Sequence, residues 1–251
     1  MSKRRTTPVE PEFAEPHMCS VDTRLAILSR VPFFAGLPAE AIERINERFQ
    51  DRGYNAGEMI YLAGDEAVRL YVVATGKVKL LRHTADGQEV MLDILAPGEH
   101  FGSLASLGDA VYPDTAQAHT GVCALSINAE DFRAILEAYP ATALRVLDIT
   151  GARLREAQER VRQLSAYTVE QRLAAALLKL AEKLGEPHDE GLLIQMPLSR
   201  EDLAAMTGTT TETASRTLRR FQNDGLINAG RQWVAIVDRE QLERTAAAEA
   251  V

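Results

Sequence analysis

Cysteine is nearly absent: the 251-residue chain has two, Cys19 and Cys123. Two thiols are too few for the disulfide framework of a small secreted domain. Long apolar runs are missing as well. None approaches the roughly 20 residues needed to cross a bilayer, and no apolar stretch follows the basic Lys3-Arg4-Arg5 as a secretory leader requires. The expectation is a cytoplasmic protein with no membrane contact. An excess of positive charge is also lacking, since 28 Lys and Arg against 36 Asp and Glu give a net charge of −8. Bulk electrostatics therefore do not favour a polyanionic partner. The chain shows no nucleophile–base pair, phosphate loop or metal constellation, so no catalytic residue and no metal ligand is assigned and no enzyme is expected. His83, His100, His119 and His188 show no metal-ligand spacing. What is present is a 46% hydrophobic composition, enough for two modest domains with cores of their own.

The informative stretch runs from Leu198 to Ile227. Ser199 with Asp202 has capping-box spacing, and Leu198 and Leu203 stand at the positions of a hydrophobic staple. Gly208 ends that helix, because glycine tolerates the positive φ required beyond a helix end. Thr210 then caps a second helix, which Asn223-Asp224-Gly225 stops. Ala214, Leu218 and Phe221 recur at i, i+4 and i+7 and face a core. Glu212, Ser215, Arg216 and Arg219 share the opposite, solvent face. An acid, a hydroxyl and an arginine so spaced suit base edges: Arg pairs bidentately with guanine, Glu accepts from cytosine N4, and Ser takes either role. The alternative is a merely solvated helix whose Glu212 favours its N-terminus. The preceding capped helix and a following hairpin favour the DNA reading; that hairpin, the wing, has Leu226 to Asn228, a turn at Ala229-Gly230-Arg231, and Trp233 to Val237. Residues 199–231 contain five Arg and four acids, a local balance of +1 within an acidic chain. The full set of candidate DNA-binding residues is Ser199, Arg200, Thr210, Thr211, Glu212, Ser215, Arg216 and Arg219.

Upstream the texture differs. Residues 1–20, rich in Pro, Glu and Thr, read as a flexible arm. A helical piece over Asp22 to Ser29 and an apolar helix face of Ala41, Ile42, Ile45 and Phe49 follow. From Arg52 to Asn128 short apolar runs are broken by single glycines: Glu58 to Leu62, Leu70 to Ala74, Lys77 to Leu81 and Val90 to Leu95. Asp86-Gly87 is a hairpin signal. Repeated strands and turns of this kind predict a sandwich or barrel-like β domain. A long helix begins near Ala141. Ala143, Leu147, Thr150, Leu154, Ala157, Val161 and Leu164 alternate by four and three residues, a two-stranded coiled-coil seam, although a helix packing on its own domain would show a similar period. Thr168 with Gln171 is a second capping box opening a helix through Leu184, and Gly185 to Gly191 reads as a polar linker.

Thr211-Glu212-Thr213-Ala214-Ser215-Arg216 resembles the E-x-x-S-R recognition pattern of the fumarate-nitrate reductase regulator branch of the CRP/FNR superfamily of bacterial transcription factors. The cyclic-AMP receptor branch has arginine where Thr211 stands and glycine where Ser215 stands. The likeness covers roughly residues 21 to 240. It implies an α+β fold: a flexible arm (1–20), a β-roll sensor domain (21–139), a dimerisation helix (140–167) whose seam includes Leu147, Leu154, Ala157, Val161 and Leu164, and a winged helix-turn-helix (168–251). It further implies double-stranded DNA and a second copy of the chain as partners, and RNA polymerase if the protein activates.

The same likeness bears on the effector. In the cyclic-nucleotide branch an F-G-E-L loop and a later R-S/T-A hold ribose and cyclic phosphate. Here the matching residues are Phe101, Gly102, Ser103 and Leu104, then Pro113, Asp114, Thr115 and Ala116. Ser103 replaces the glutamate and Asp114 the arginine, so an anion would meet a carboxylate, and cyclic AMP is not expected. Gly102, Ser103, Leu104, Asp114 and Thr115 remain the candidate effector-pocket residues. The oxygen-sensing branch uses four cysteines to hold a four-iron cluster. Cys123 stands where the fourth lies, but Cys19 is the only N-terminal one, and adding His17 does not complete the set, so no cluster is expected. No cofactor is predicted, with haem left open because a single axial histidine leaves no spacing signature.

Three readings of function stay beside each other. The first is a homodimeric regulator reading a palindromic TTGAT-like site, controlled by an unidentified effector or by none. The alternatives are a thiol-redox-responsive regulator using Cys19 and Cys123, with Cys123 otherwise an inert core residue, and a ligand-binding module acting on a protein partner. Residues 198–237 discriminate against the last, which would lack them.

Overall fold

The structure of the protein is a computed structural model that describes residues 19–83, 89–104 and 110–247, the side chains of 160 and 163 excepted. The Asp86-Gly87 hairpin signal, His17 and nearly all of the N-terminal arm lie outside these residues. The described chain forms two compact units that part between Arg155 and Glu156.

The first unit is built on two four-stranded antiparallel sheets. One has the order β1 (Gln50–Tyr54), β8 (Val122–Asn128), β3 (Arg69–Thr75), β6 (His100–Gly102); the other has β2 (Met59–Tyr61), β7 (Thr115–Ala118), β4 (Val78–His83), β5 (Glu89–Leu95). Strand periodicity divides the interior into two cores. Leu70, Val72 and Ala74 of β3, with Cys123, Leu125 and Ile127 of β8, join one core with Ile27, Leu28, Ile42, Ile45, Phe132 and Ile135. Tyr71 and Val73, with Val122 and Ala124, point the other way into a second core with Tyr54, Tyr61, Phe101 and Tyr112. Both faces of β3 and β8 are covered, which is why their sequence reads as continuous apolar runs.

Three helices supply the outer core: α1 (Val21–Arg30), α2 (Ala39–Asn46) and α3 (Ala129–Ala138). The sequence reading contains no counterpart of α3. Asn128 caps it by accepting from Asp131 N, as a short polar side chain at an N-cap does. Phe49, expected on the α2 face, lies beyond that helix and is buried all the same. Arg24 of α1 donates to the Asn46 side chain and to the carbonyls of Asn46 and Phe49, and pairs with Asp51 at 2.7 Å, fixing α1 to the start of β1.

The long helix α4 (Pro140–Ala166) runs through the division between the units. Val146 and Ile149 pack on the first unit's outer core. Leu147, Leu154, Val161 and Leu164 lie on another stripe, exposed by 68%, 60%, 64% and 54%. One helix thus carries an apolar face that packs on the first unit and a second apolar stripe that stays largely exposed.

In the second unit α5 (Val169–Leu184) starts at the expected Thr168–Gln171 capping box. The polar linker expected from Gly185 to Gly191 is instead a β-hairpin, β9 (Gly185–His188) and β10 (Gly191–Ile194). It extends the wing into one sheet of order β11 (Ile227–Gly230), β12 (Trp233–Ile236), β10, β9. β9 is an edge strand with mostly exposed side chains and a proline, a composition that edges tolerate and sequence reading takes for loop. A last helix, α8 (Arg239–Ala247), buries Leu242.

Candidate nucleic-acid interface

The interface is built from α6 (Arg200–Thr207) and α7 (Thr211–Asn223). Ser199 Oγ accepts from Asp202 N at 3.0 Å and Asp202 Oδ2 accepts from Ser199 N at 2.9 Å. This reciprocal cap satisfies two orphan donors at the head of α6. Leu198 and Leu203, the two staple residues, are both buried. Gly208 closes α6 in the left-handed region, φ 59° and ψ 46°, a conformation that carries a penalty for any residue with a Cβ. Two residues later Thr210 caps α7 by accepting from Thr213 N at 3.2 Å.

Ala214, Leu218 and Phe221 of α7 are buried. Arg220 at the edge of the helix bonds Glu170 of α5 at 3.0 Å, so the far end of α7 is tied to its own unit. Thr211, Glu212, Arg216 and Arg219 are exposed and Ser215 is half-buried. Glu212, Ser215, Arg216 and Arg219 lie on one face at spacings of three and four residues, as neighbours on a helix surface do.

Arg200, at the first position of α6, stands beside this face. Its guanidinium is held below its ordinary pKa, first by burial and then by the neighbouring charge of Arg219. Its Nη1 is buried with no hydrogen-bond partner. A buried cationic donor in that state is unfavourable in the isolated protein.

The candidate DNA residues are therefore brought together, with a division of labour that the sequence does not reveal. The hydroxyls of Ser199 and Thr210 are engaged in capping and set the positions of α6 and α7, whereas Glu212, Arg216 and Arg219 project from them. The wing turns at Arg231-Gln232, one residue beyond the expected place, with Gln232 at φ 64°. A Cβ at Gly230 would run into the indole of the buried Trp233, so only glycine fits there.

The candidate effector residues lie in the first unit. Ser103 and Leu104 are buried, and Gly102 has φ 79°. Asp114 accepts a 2.8 Å hydrogen bond from Tyr61 Oη, and the buried Thr115 accepts one from Ala63 N at 3.0 Å. Tyr61 stacks on Tyr112 with ring centroids 3.8 Å apart, and Tyr71 on Phe101 at 5.1 Å. Burial, then the Asp114 carboxylate, pushes the Tyr61 phenol far above its ordinary pKa, so it stays a neutral donor. This aromatic group, which no sequence pattern assembles, belongs to the second core, where its Tyr61 is bonded to Asp114. His100 packs edge-on against Phe33 at 5.1 Å, while its carbonyl accepts from Arg153 at 2.7 Å. Cys19 and Cys123, both buried, are joined by a disulfide with Cα atoms 6.3 Å apart.

A β-roll followed by a long helix and a winged helix defines a class: a sensor domain coupled to a DNA reader. Two family descriptions match, a cyclic nucleotide-binding domain over residues 51–139 and a Crp-like helix-turn-helix domain over residues 171–245. The chain is 34% identical over 215 residues to the cyclic AMP receptor protein of Thermus thermophilus, covering 86% of this chain and 96% of that protein. It is 30% identical over 220 residues to the CRP-like cAMP-activated global transcriptional regulator of Mycobacterium tuberculosis, covering 88% and 98%. Its fold is shared with the FixK2 structure from Bradyrhizobium japonicum, at a TM-score of 0.72, 24% identity, and coverage of 80% and 99%. The chain belongs to the CRP/FNR family of DNA-binding transcriptional regulators. Among the described residues no helix is long and apolar enough to cross a membrane.

Proposed function

We propose that the protein acts as a homodimer that reads a palindromic site with TTGAT-like half-sites. The observation that carries this is the joint exposure of Glu212, Arg216 and Arg219 on one face of α7, with the partly desolvated Arg200 at its rim. Arg216 reads the guanine, Glu212 the paired cytosine and Ser215 a neighbouring thymine, while Arg200 and Arg219 hold phosphates. The exposed stripe of Leu147, Leu154, Val161 and Leu164 pairs two copies of α4, with Ala157 as a small residue in the same seam. The two recognition helices then meet major grooves about one helical turn apart. RNA polymerase is the further partner where the protein activates. Binding-site selection from random duplexes, with sedimentation of the complex, tests this reading. A non-palindromic consensus, or a palindrome without the guanine, overturns it.

The Cys19–Cys123 disulfide favours a second reading, in which the effector is an oxidant rather than a nucleotide. A hydroperoxide would take two electrons and two protons from the thiols, giving the disulfide, water and the corresponding alcohol. The tie between the chain before α1 and strand β8 then biases the dimer. DNA affinity of the parent and of Cys19→Ser, each reduced and oxidised, decides this. An equal response to oxidation in both proteins removes the bridge as the switch.

A further inference from the structure

Leu164 has two sets of neighbours, and both belong to the winged-helix unit. Its carbonyl, one of the last of α4, accepts from Arg172 Nη1 of α5 at 3.2 Å, which satisfies an end group that the helix itself leaves open. Its side chain lies over the turn between α6 and α7: a Cβ built on Gly208 would sit 3.1 Å from Leu164 Cδ2. That turn is tightly determined. The Gly208 and Thr209 amides both donate to Ala204 O, and Thr210, two residues past Gly208, is the N-cap of α7. A displacement at Gly208 therefore moves the start of the recognition helix. Leu164 also continues the exposed stripe of Leu147, Leu154 and Val161 and is itself 54% exposed. Its place at the end of that stripe is what brings it to the turn.

We infer that Leu164 is a positioning residue for DNA recognition: its side chain is the wedge between the end of the α4 seam and the Gly208 turn, and it sets the attitude of α7. This rests on the dimer reading above, and extends it by separating pairing from positioning. When two α4 helices associate, one face of the Leu164 side chain meets the partner helix and another keeps the turn in place. The state of the seam is thereby transmitted through packed atoms. Leu154, earlier in the same stripe, contributes to pairing alone.

The test uses full-length parent, Leu164→Ala, Leu164→Met and Leu154→Ala, with a duplex selected by the parent. Sedimentation gives the dimer fraction and anisotropy gives the affinity, compared at protein concentrations where every variant is dimeric. Leu164→Ala is expected to bind about tenfold more weakly, a loss within the range for residues along a coupling path. Leu164→Met, which keeps the reach, restores most of it, and Leu154→Ala matches the parent once dimeric. Amide exchange should rise at Thr209 in Leu164→Ala and stay unchanged in β10 and β12. If Leu164→Ala does not fold, Leu164→Val replaces it, with a smaller loss expected. Parent-like affinity of dimeric Leu164→Ala, or an equal loss in dimeric Leu154→Ala, overturns the inference while leaving the dimer intact. A monomeric parent overturns the dimer reading and this inference with it.

Discussion

Cys19 and Cys123, 104 residues apart in sequence, are covalently joined inside the outer core of the first unit. Cys19 immediately precedes Ser20, the N-cap of α1, and Cys123 lies in β8 between β1 and β3. The bond closes a loop that encloses nearly all of the β-roll. On the chain-entropy account a loop of about 100 residues gives roughly 4–5 kcal/mol, less any native strain. Urea unfolding of the first unit should therefore show a lower midpoint for Cys19→Ser than for the oxidised parent. Adding a strong dithiol should lower the parent to the mutant's value and leave the mutant unmoved. Equal midpoints for all four samples would show that the bond contributes nothing to stability.

Arg200 supports a prediction in which stability and binding move in opposite directions. Its Nη1 is buried without a partner and its charge is opposed by Arg219. Arg200→Met keeps most of the apolar stem and removes the orphan donor, so the free protein should gain stability by up to about 1 kcal/mol. DNA affinity should fall for every sequence alike, and the slope of log K against log salt should shrink by about 0.9, because one phosphate is no longer neutralised. Arg216→Ala should behave differently, losing roughly 1–3 kcal/mol on the selected site and relaxing preference at one base pair. An unchanged salt slope in Arg200→Met would remove Arg200 from the phosphate-binding set.

These contrasts mark what the sequence makes legible. Capping is local, so Ser199–Asp202, Thr168–Gln171, Thr210 and Gly208 can be read from spacing alone, and each has the expected geometry. The stripe along α4 is legible for the same reason, because a 3.5-residue period needs no tertiary information. The Gly185–Gly191 hairpin is not. Glu186, Pro187 and His188 are exposed, and an edge strand held by backbone pairing leaves no apolar signature. The roll interior is hidden for a different reason. Tyr61, Tyr71, Phe101 and Tyr112 come from distant strands and loops, and only their pairing brings the rings together. Nor does spacing record that Arg200 and Arg219, on different helices, share one field.

His100 gives a pH dependence with a defined sign. Burial, and secondarily the Arg153 charge, lowers its pKa from the ordinary 6.5 to about 3. The folded state therefore keeps the imidazole neutral where the unfolded chain takes up a proton. Above pH 6.5 neither state is protonated and the residue has no effect on the balance. As pH falls from 6.5 toward 3 the unfolded state binds one proton more, and stability drops by up to about 1.4 kcal/mol per pH unit. Below about 3 the loss levels off. His100→Phe preserves an aromatic ring against Phe33 and cannot titrate. The difference in unfolding free energy between parent and variant should be flat above pH 6.5 and grow in the variant's favour as the solution is acidified to pH 4. A constant difference across that span would mean that His100 titrates alike in both states.

The last prediction concerns cyclic AMP, which the names of two relatives associate with those proteins. In this chain Asp114 is held by Tyr61 Oη at 2.8 Å, and the Tyr61 ring is stacked on Tyr112 in the second core. A cyclic phosphate placed beside Asp114 would meet a carboxylate where the family resemblance calls for arginine. Like charges a few ångströms apart oppose binding even at the effective dielectric of a protein surface. Ser103 is buried and offers a hydroxyl where a carboxylate would receive the ribose. We therefore expect titration calorimetry with millimolar cyclic AMP to give no saturable heat, and DNA affinity to be unaffected by the nucleotide. Asp114→Asn separates charge from shape. It removes the repulsion and keeps an acceptor for Tyr61, so weak binding that emerges only in this variant would assign the exclusion to the carboxylate. No binding in either protein would show that removing the carboxylate charge alone does not admit the nucleotide. A saturable isotherm with the parent would refute the expectation and restore the nucleotide as an effector.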